Sequence, residues 1–280
     1  MRASILLPAV IPLLLVATDG SASYDVQGPA NPNLAGRAFE YTCCGGDTVF
    51  VDGPDELSVA ACSTLHFDVT GKVSYSGGAV SGDNPDGDQL FDMTNYGDGI
   101  SAPLAIRANA LVGVFLDDTS PTGEPTPDQI SYSGGIGFAS QSPGLRQIFF
   151  IGDGRTTDSS LGASEGPQQD FIAPAKATRL FLGTADGLQW SNNTGSLQVN
   201  LDILPEPRVN QCGDASGKSG ITAADALQVL RAAVGNGICP DCVCDVDDSS
   251  TVAASDALRI LRHAVGQVVD LNCPCCPHLD

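Results

Sequence analysis

Positive charge is scarce in this chain. Its 280 residues carry 13 Lys and Arg against 33 Asp and Glu, a formal charge of -20. Nucleic acids and anionic membranes are bound through basic patches, so neither is an expected partner. Glutamate is scarce as well: 28 of the acids are Asp and 5 are Glu. Helix surfaces draw freely on Glu, whereas Asp favours turns, loops and oxygen-ligand sites. There are three histidines, His66, His263 and His278, and no G-x-S-x-G, H-E-x-x-H or glycine-rich phosphate loop. A glycosidase needs two carboxylates at a set separation, and the many Asp residues single out no such pair. These absences favour a binding protein over an enzyme. After residue 17 no apolar run is long enough to cross a bilayer, so no membrane insertion is expected.

What the chain has in quantity is glycine, 32 residues, and proline, 18 residues, the mark of a turn-rich β protein. Its start reads as an export signal: Met1-Arg2, the apolar run Ile5 to Ala17, then small residues from Gly20 to Ser23. Cleavage is expected near Ala22 or Ser23, which gives a signal peptide over 1–23 and a secreted mature chain. Ten cysteines suit that compartment. Three lie early (Cys43, Cys44, Cys62) and seven late (Cys212, Cys239, Cys242, Cys244, Cys273, Cys275, Cys276), so full pairing requires a bridge between the two groups. The runs CPDCVC and CPCC also suit zinc, but the export signal favours disulfides.

The text changes character near LPEPRVNQC, residues 204 to 212. Before it, LSVAA, HFDVTGKVSYS, LAIRANALVGVFL, RQIFFIG, TRLFLGT and SLQVNLDIL are strand candidates between turn residues. After it, Leu227, Leu230 and Val234 recur at helical spacing, as do Leu258, Leu261 and Val265, with Gly235 and Gly266 as stops. The expected fold is mostly β with a small α module: a β-sandwich over 24–204, a linker over 205–211, and a helical module over 212–280.

The module writes one unit twice, DASGKSGITAAD (214–225) and DVDDSSTVAASD (245–256). Of the eleven residues that begin with each closing Asp, eight agree. An oxygen-rich loop of this length followed by a helix is the plan of a calcium loop, with ligands from positions 1, 3, 5, 7, 9 and 12. The second copy supplies Asp245, Asp247, Ser249, Thr251 by its carbonyl, Ala253 through water, and Asp256. The first supplies Asp214, Ser216, Gly220 by its carbonyl, Thr222 and Asp225, but places Lys218 at position 5, where an ammonium repels the ion. Ile221 and Val252 at position 8 suit a β contact between paired loops. The alternative is a cystine-stapled helical hairpin whose Asp residues cap helices.

The closing residue is Asp rather than Glu, and no helix is expected before either loop. In this the region from 212 to about 268 resembles a type I dockerin. The resemblance implies a duplicated loop-helix with calcium as cofactor and a cohesin-like module as partner. It further implies partner contacts through Ala223, Ala224, Leu230 and Arg231, and through Ala254, Ser255, Leu261 and Arg262. The family's usual Ser-Thr pair is absent. Dockerins often accompany polysaccharide-degrading machinery, so polysaccharide catabolism is the implied process.

In the β region, residues 171–201 read FIAPAKATRLFLGTADGLQWSNNTGSLQVNL: two strands around a loop with Asp186, Asn192 and Asn193. This resembles the last hairpin of small bacterial galactose-binding calcium lectins. The resemblance implies calcium at those three residues and sugar contacts from Asn84 and Asp86 in GDNPDGDQ (82–89). Asn84 stands where the family has His, the loop is one residue short, and the stretch from about Asp117 to Gln141 has no counterpart. Trp190 would either stack on a sugar or anchor the core, and the Asp and Asn residues also suit plain turns. The expected function is a secreted, non-catalytic, calcium-binding protein that binds carbohydrate and docks to a partner. The alternatives are a dockerin-borne polysaccharide hydrolase and a calcium-stabilised surface protein.

Overall fold

The computed structural model describes residues 20–77, 84–157, 166–204, 212–218 and 220–274. The apolar run at 5–17, the linker at 205–211 and the end of the cysteine-rich tail lie outside the described residues. In chain order the elements are β1 (Gly20–Gln27), β2 (Thr42–Cys43), β3 (Asp47–Thr48), α1 (Val49–Asp52), β4 (Asp55–Ser58), β5 (Thr64–Ser74), β6 (Leu90–Phe91), β7 (Ile106–Arg107), β8 (Leu111–Leu116), β9 (Ser140–Gln141), β10 (Ile148–Phe150), β11 (Asp170–Ile172), β12 (Arg179–Thr184), β13 (Thr194–Leu204), α2 (Ala223–Ala233), α3 (Asp241–Cys244) and α4 (Ala254–Ala264). The chain is mostly β, with few helices, as its sequence leads one to expect.

One sheet has the order β1-β13-β5-β11-β9 and a second the order β10-β8-β12-β4. Alternation builds the first. In β13, Leu197, Val199 and Leu201 are buried while Gln198, Asn200 and Asp202 are exposed. Leu65, Phe67, Val69 and Val73 do the same in β5. These side chains form one buried cluster with Leu111, Phe115, Phe149, Leu180 and Leu182 of the second sheet. Each such burial is worth about 1.5–3 kcal/mol. The strand β1 begins at Gly20, inside the stretch read as export signal, and pairs Gly20 with Ile203 and Ser23 with Asn200.

In β8 every residue is buried, because the sheet is covered on its far side too. There Val112, Val114 and Leu116 meet Ile106, Phe150, Tyr132 and Trp190. Tyr132 comes from the 117–141 stretch. Its hydroxyl accepts from the Phe150 N–H (2.8 Å) and from Gln141 Nε2 (2.7 Å). Burial pushes its phenol up to about 12. One expectation fails in this unit. Strands β12 and β13 are not a hairpin: they belong to different sheets, so residues 185–193 cross from one sheet to the other.

The C-terminal module buries Ala226, Val229, Val243, Val246, Ala257 and Ile260. The stripes at helical spacing face outward: Leu227, Leu230, Val234, Leu258, Leu261 and Val265 are exposed. The closing Asp explains this. Asp225 and Asp256 turn inward to serve their loops and carry the faces of Ala226/Val229 and Ala257/Ile260 with them. The leucine stripe lies roughly 120° away around each helix. Ile221 and Val252 pack against the core, but among the described residues no β bridge joins them. One helical turn, α3, does precede the second loop.

Disulfides join Cys43 to Cys44, Cys212 to Cys273 and Cys239 to Cys244. Cys62 and Cys242 are disulfide-bonded too.

Candidate functional site

The second loop brings its acids together. Carboxylate oxygens of Asp245, Asp247 and Asp256 lie within 4.8 Å of one another. Asp245 and Asp256 are buried, and their places are fixed by backbone donors. Ser249 N–H (3.0 Å) and Ser250 N–H (2.7 Å) donate to Asp245, while Val246 N–H (3.0 Å) and Ala253 N–H (2.8 Å) donate to Asp256. The loop must curl tightly to do so, and Asp248 and Ser250 take positive φ of 56° and 68°. Burial, then the charges of Asp247 and Asp245, raise the Asp256 carboxyl above its ordinary range. Hydrogen bonding from Ser249, with Arg259 nearby, holds Asp247 below it. Asp247 Oδ1 is buried without a hydrogen-bond partner. Three converging carboxylates and an orphaned oxygen fit a hard divalent cation. Ser249 Oγ and Thr251 O stand 3.2 Å apart in the same loop.

The first loop repeats the scaffold with fewer charges. Asp225 accepts from the N–H groups of Ser216 and Thr222, both at 2.8 Å, and from Thr222 Oγ1 at 2.6 Å. Burial pushes its carboxyl up, but the hydrogen bonds from Thr222 and Ser216 outweigh that and hold it low. Asp214 accepts from Ser216 Oγ (3.4 Å) and from Lys218 N–H (3.2 Å). Gly217, at the place of Asp248, has a φ of 66°, and Gly220 is exposed. Thr222 caps α2 in a capping box with Asp225. With two carboxylates and a lysine this copy fits a cation less well than the second.

In the β unit the crossing segment holds Asp186 and Asn193 side by side, and their side chains hydrogen-bond. Burial first, and the nearby Asp47 last, raise the Asp186 carboxyl. Asn193 is buried and its Oδ1 has no hydrogen-bond partner. The amide donates to the carboxylate through Nδ2, so Asp186 and this orphaned oxygen are two separate oxygen donors of one segment and fit a cation only in part. Asn192 is exposed on the same turn. Trp190 is 0% exposed, with its Nε1–H donating to Thr184 O at 2.7 Å, so the indole anchors the core and offers no face to a sugar. Asp86 is 1% exposed and its Oδ1 accepts the Asp153 N–H at 2.8 Å, which removes it as a sugar contact. Asn84 is half-buried and accepts the Asp86 N–H at 3.0 Å. A cavity of about 250 Å³ opens beside Asp186, lined by Gln89, Phe91, Tyr75, Ala108 and Gly187.

A second cavity, about 310 Å³, runs between α2 and α4. Each helix lines it with the same four positions: Ala223, Ala226, Leu227 and Leu230 from one, Ala254, Ala257, Leu258 and Leu261 from the other. Ala224, Arg231, Ser255 and Arg262 are exposed on the same helices.

The chain matches no protein-family model and no curated protein by sequence.

Two residues of the β unit escaped the sequence reading. Gln89 lines the cavity beside Asp186, from the very stretch in which Asn84 and Asp86 stood out. Asp47 holds the crossing segment. Its Oδ2 accepts from Trp190 N–H (2.8 Å) and Asn31 Nδ2 (3.2 Å), and its Oδ1 from Ser191 N–H (3.2 Å). Nothing in the spacing of residue 47 from 190 announces that contact.

Proposed function

We propose that this is an exported, non-catalytic protein of two modules: a β-sandwich that binds carbohydrate and a calcium-loaded, dockerin-like module that docks to a protein partner. The outward face of α2 and α4 carries the reading. A free-standing pair of helices would bury Leu227, Leu230, Leu258 and Leu261 against each other. Here they line an open groove, contributed equally by the two copies. Arg231 and Arg262 flank it, which suits a partner with an apolar ridge and an acidic rim. Calcium at Asp245, Asp247, Ser249, Thr251 and Asp256 would neutralise the crowded acids and fix the start of α4. For the β unit, the cavity beside Asp186 and the orphaned oxygen of Asn193 support a calcium-assisted site for a neutral sugar, with Gln89 as a polar contact. A hydrolase is less favoured: one acid pair of the β unit that comes together, Asp86 and Asp153, is sealed from solvent.

The test is calorimetric titration of calcium into the metal-stripped protein and its Asp245→Ala and Asp186→Ala variants. Wild type is expected to bind at least two ions, with each variant losing one. An Asp245→Ala variant that binds like wild type would sink the calcium reading of the module. An Asp186→Ala variant that binds like wild type would sink the calcium-assisted sugar site. Docking is tested separately on a panel of recombinant cohesin modules, where Leu230→Asp/Leu261→Asp is expected to abolish any binding that wild type shows.

A further inference from the structure

Cys43 and Cys44 are neighbours in the chain and are bonded to each other. They sit at the turn of the β2–β3 ribbon, and that ribbon grips the segment that crosses between the sheets. Gln189 N–H donates to Cys44 O at 2.9 Å, and three residues beyond Cys44 the Asp47 carboxylate takes the N–H groups of Trp190 and Ser191. Both ends of the Gln189–Cys44 bond are non-glycine residues in the left-handed region, Cys44 at φ 57° and Gln189 at φ 62°. Such backbone persists only where its surroundings over-determine it. The bond between the two cysteines is one of those constraints.

From this geometry we infer that Cys43–Cys44 is a thiol-exchange site, open to a dithiol reductant, whose reduction loosens residues 185–193. A thiolate of the dithiol attacks Cys43 Sγ, the more accessible of the pair, since Cys43 is half-buried and Cys44 buried. The S–S bond breaks and Cys44 leaves as a thiolate that takes up a proton. The second thiol of the reductant then attacks its own sulfur in the mixed disulfide, and Cys43 leaves as a thiolate. Asn31 Nδ2, 3.7 Å from Cys43 Sγ, is placed to donate to it. The protein gains two electrons and two protons, and the dithiol is oxidised to its cyclic disulfide. A two-residue ring restrains the unfolded chain little, so this bridge lacks the entropic support of Cys212–Cys273, which spans 61 residues.

The chain's single tryptophan lies in that segment, fully buried, so its emission reports on this event without any ion or sugar. Folded full-length protein is titrated with dithiothreitol, and aliquots are alkylated and mapped by mass spectrometry. The expected result is that Cys43 and Cys44 are alkylated before any other cysteine, and that Trp190 emission moves to the red at the same dose. A Cys43→Ser/Cys44→Ser variant should show the red-shifted emission with no reductant. If another bridge opens first, the inference is wrong. It is equally wrong if Cys43 and Cys44 open first while Trp190 emission and amide exchange across 185–193 stay unchanged.

Discussion

Asp153 is 2% exposed, and burial, then the charge of Asp86, pushes its carboxyl from 3.8 up to about 6. Its Oδ1 accepts the Arg155 N–H at 2.8 Å, while its Oδ2 is buried without a partner. A carboxyl whose folded pKa is raised favours the fold when protonated. Its contribution is therefore complete below about 3.8 and lost as pH climbs through about 6. An asparagine side chain at this position would stay neutral throughout. Asp153→Asn is expected to be about 2 kcal/mol more stable than wild type near pH 7.5, with the gain gone near pH 4. Urea midpoints at the two pH values measure this, and an equal difference at both would refute the role given to the charge. A second pair of neighbours makes a sharper contrast. Ile260 is fully buried and Leu261 lines the open groove. Ile260→Ala should cost about 2–4 kcal/mol, and Leu261→Ala under about 1 kcal/mol, in urea unfolding of the C-terminal module. Comparable losses would mean that the groove is closed in solution.

The helices and strands show what a single sequence can and cannot tell. The alternation in SLQVNLDIL gave β13 its inner face, and the repeated closing Asp gave the two loop-helices their register. The period of the leucines located the helices without saying which stripe is inward; the Asp at the third helical position decided that. The hairpin expected around Asp186 failed for a similar reason. A loop between two strands reads the same whether they pair or part, and long-range pairing with β5 and β8 decided it. Asp47 was invisible because its partners are 143 and 144 residues away. The module's thin core also needs its staple. Cys212–Cys273 encloses both loops and both helices across 61 residues. Loop-closure entropy for that span is about 4 kcal/mol. Cys212→Ser/Cys273→Ser should therefore lose the module's helical ellipticity at a much lower temperature, while Trp190 emission melts as before. Simultaneous loss of both signals would show that the bridge supports the whole chain.

A charge of -20 on 280 residues means that the molecule repels itself, and the repulsion is worst where acids are forced together. The second loop is such a place, with three carboxylates inside 4.8 Å. Added sodium chloride screens all surface charge alike and should raise both halves of the molecule slightly. Calcium at matched ionic strength should act locally instead. A ligand bound only by the folded state adds about 2.7 kcal/mol at a hundred times its Kd. The molecule carries its own two probes: α2 and α4, the longest helices among the described residues, are in the C-terminal module, and the one tryptophan is in the β unit. Heating with and without calcium should raise the ellipticity midpoint strongly. Any rise in the Trp190 midpoint then tests separately the ion proposed at Asp186. Magnesium, smaller and strict about octahedral geometry, should reproduce little of either shift. Asp245→Asn should erase the calcium increment in ellipticity and leave the sodium chloride increment intact. If calcium and sodium chloride act alike on both probes, the acids are a solvated surface, and the groove between α2 and α4 owes nothing to a bound ion.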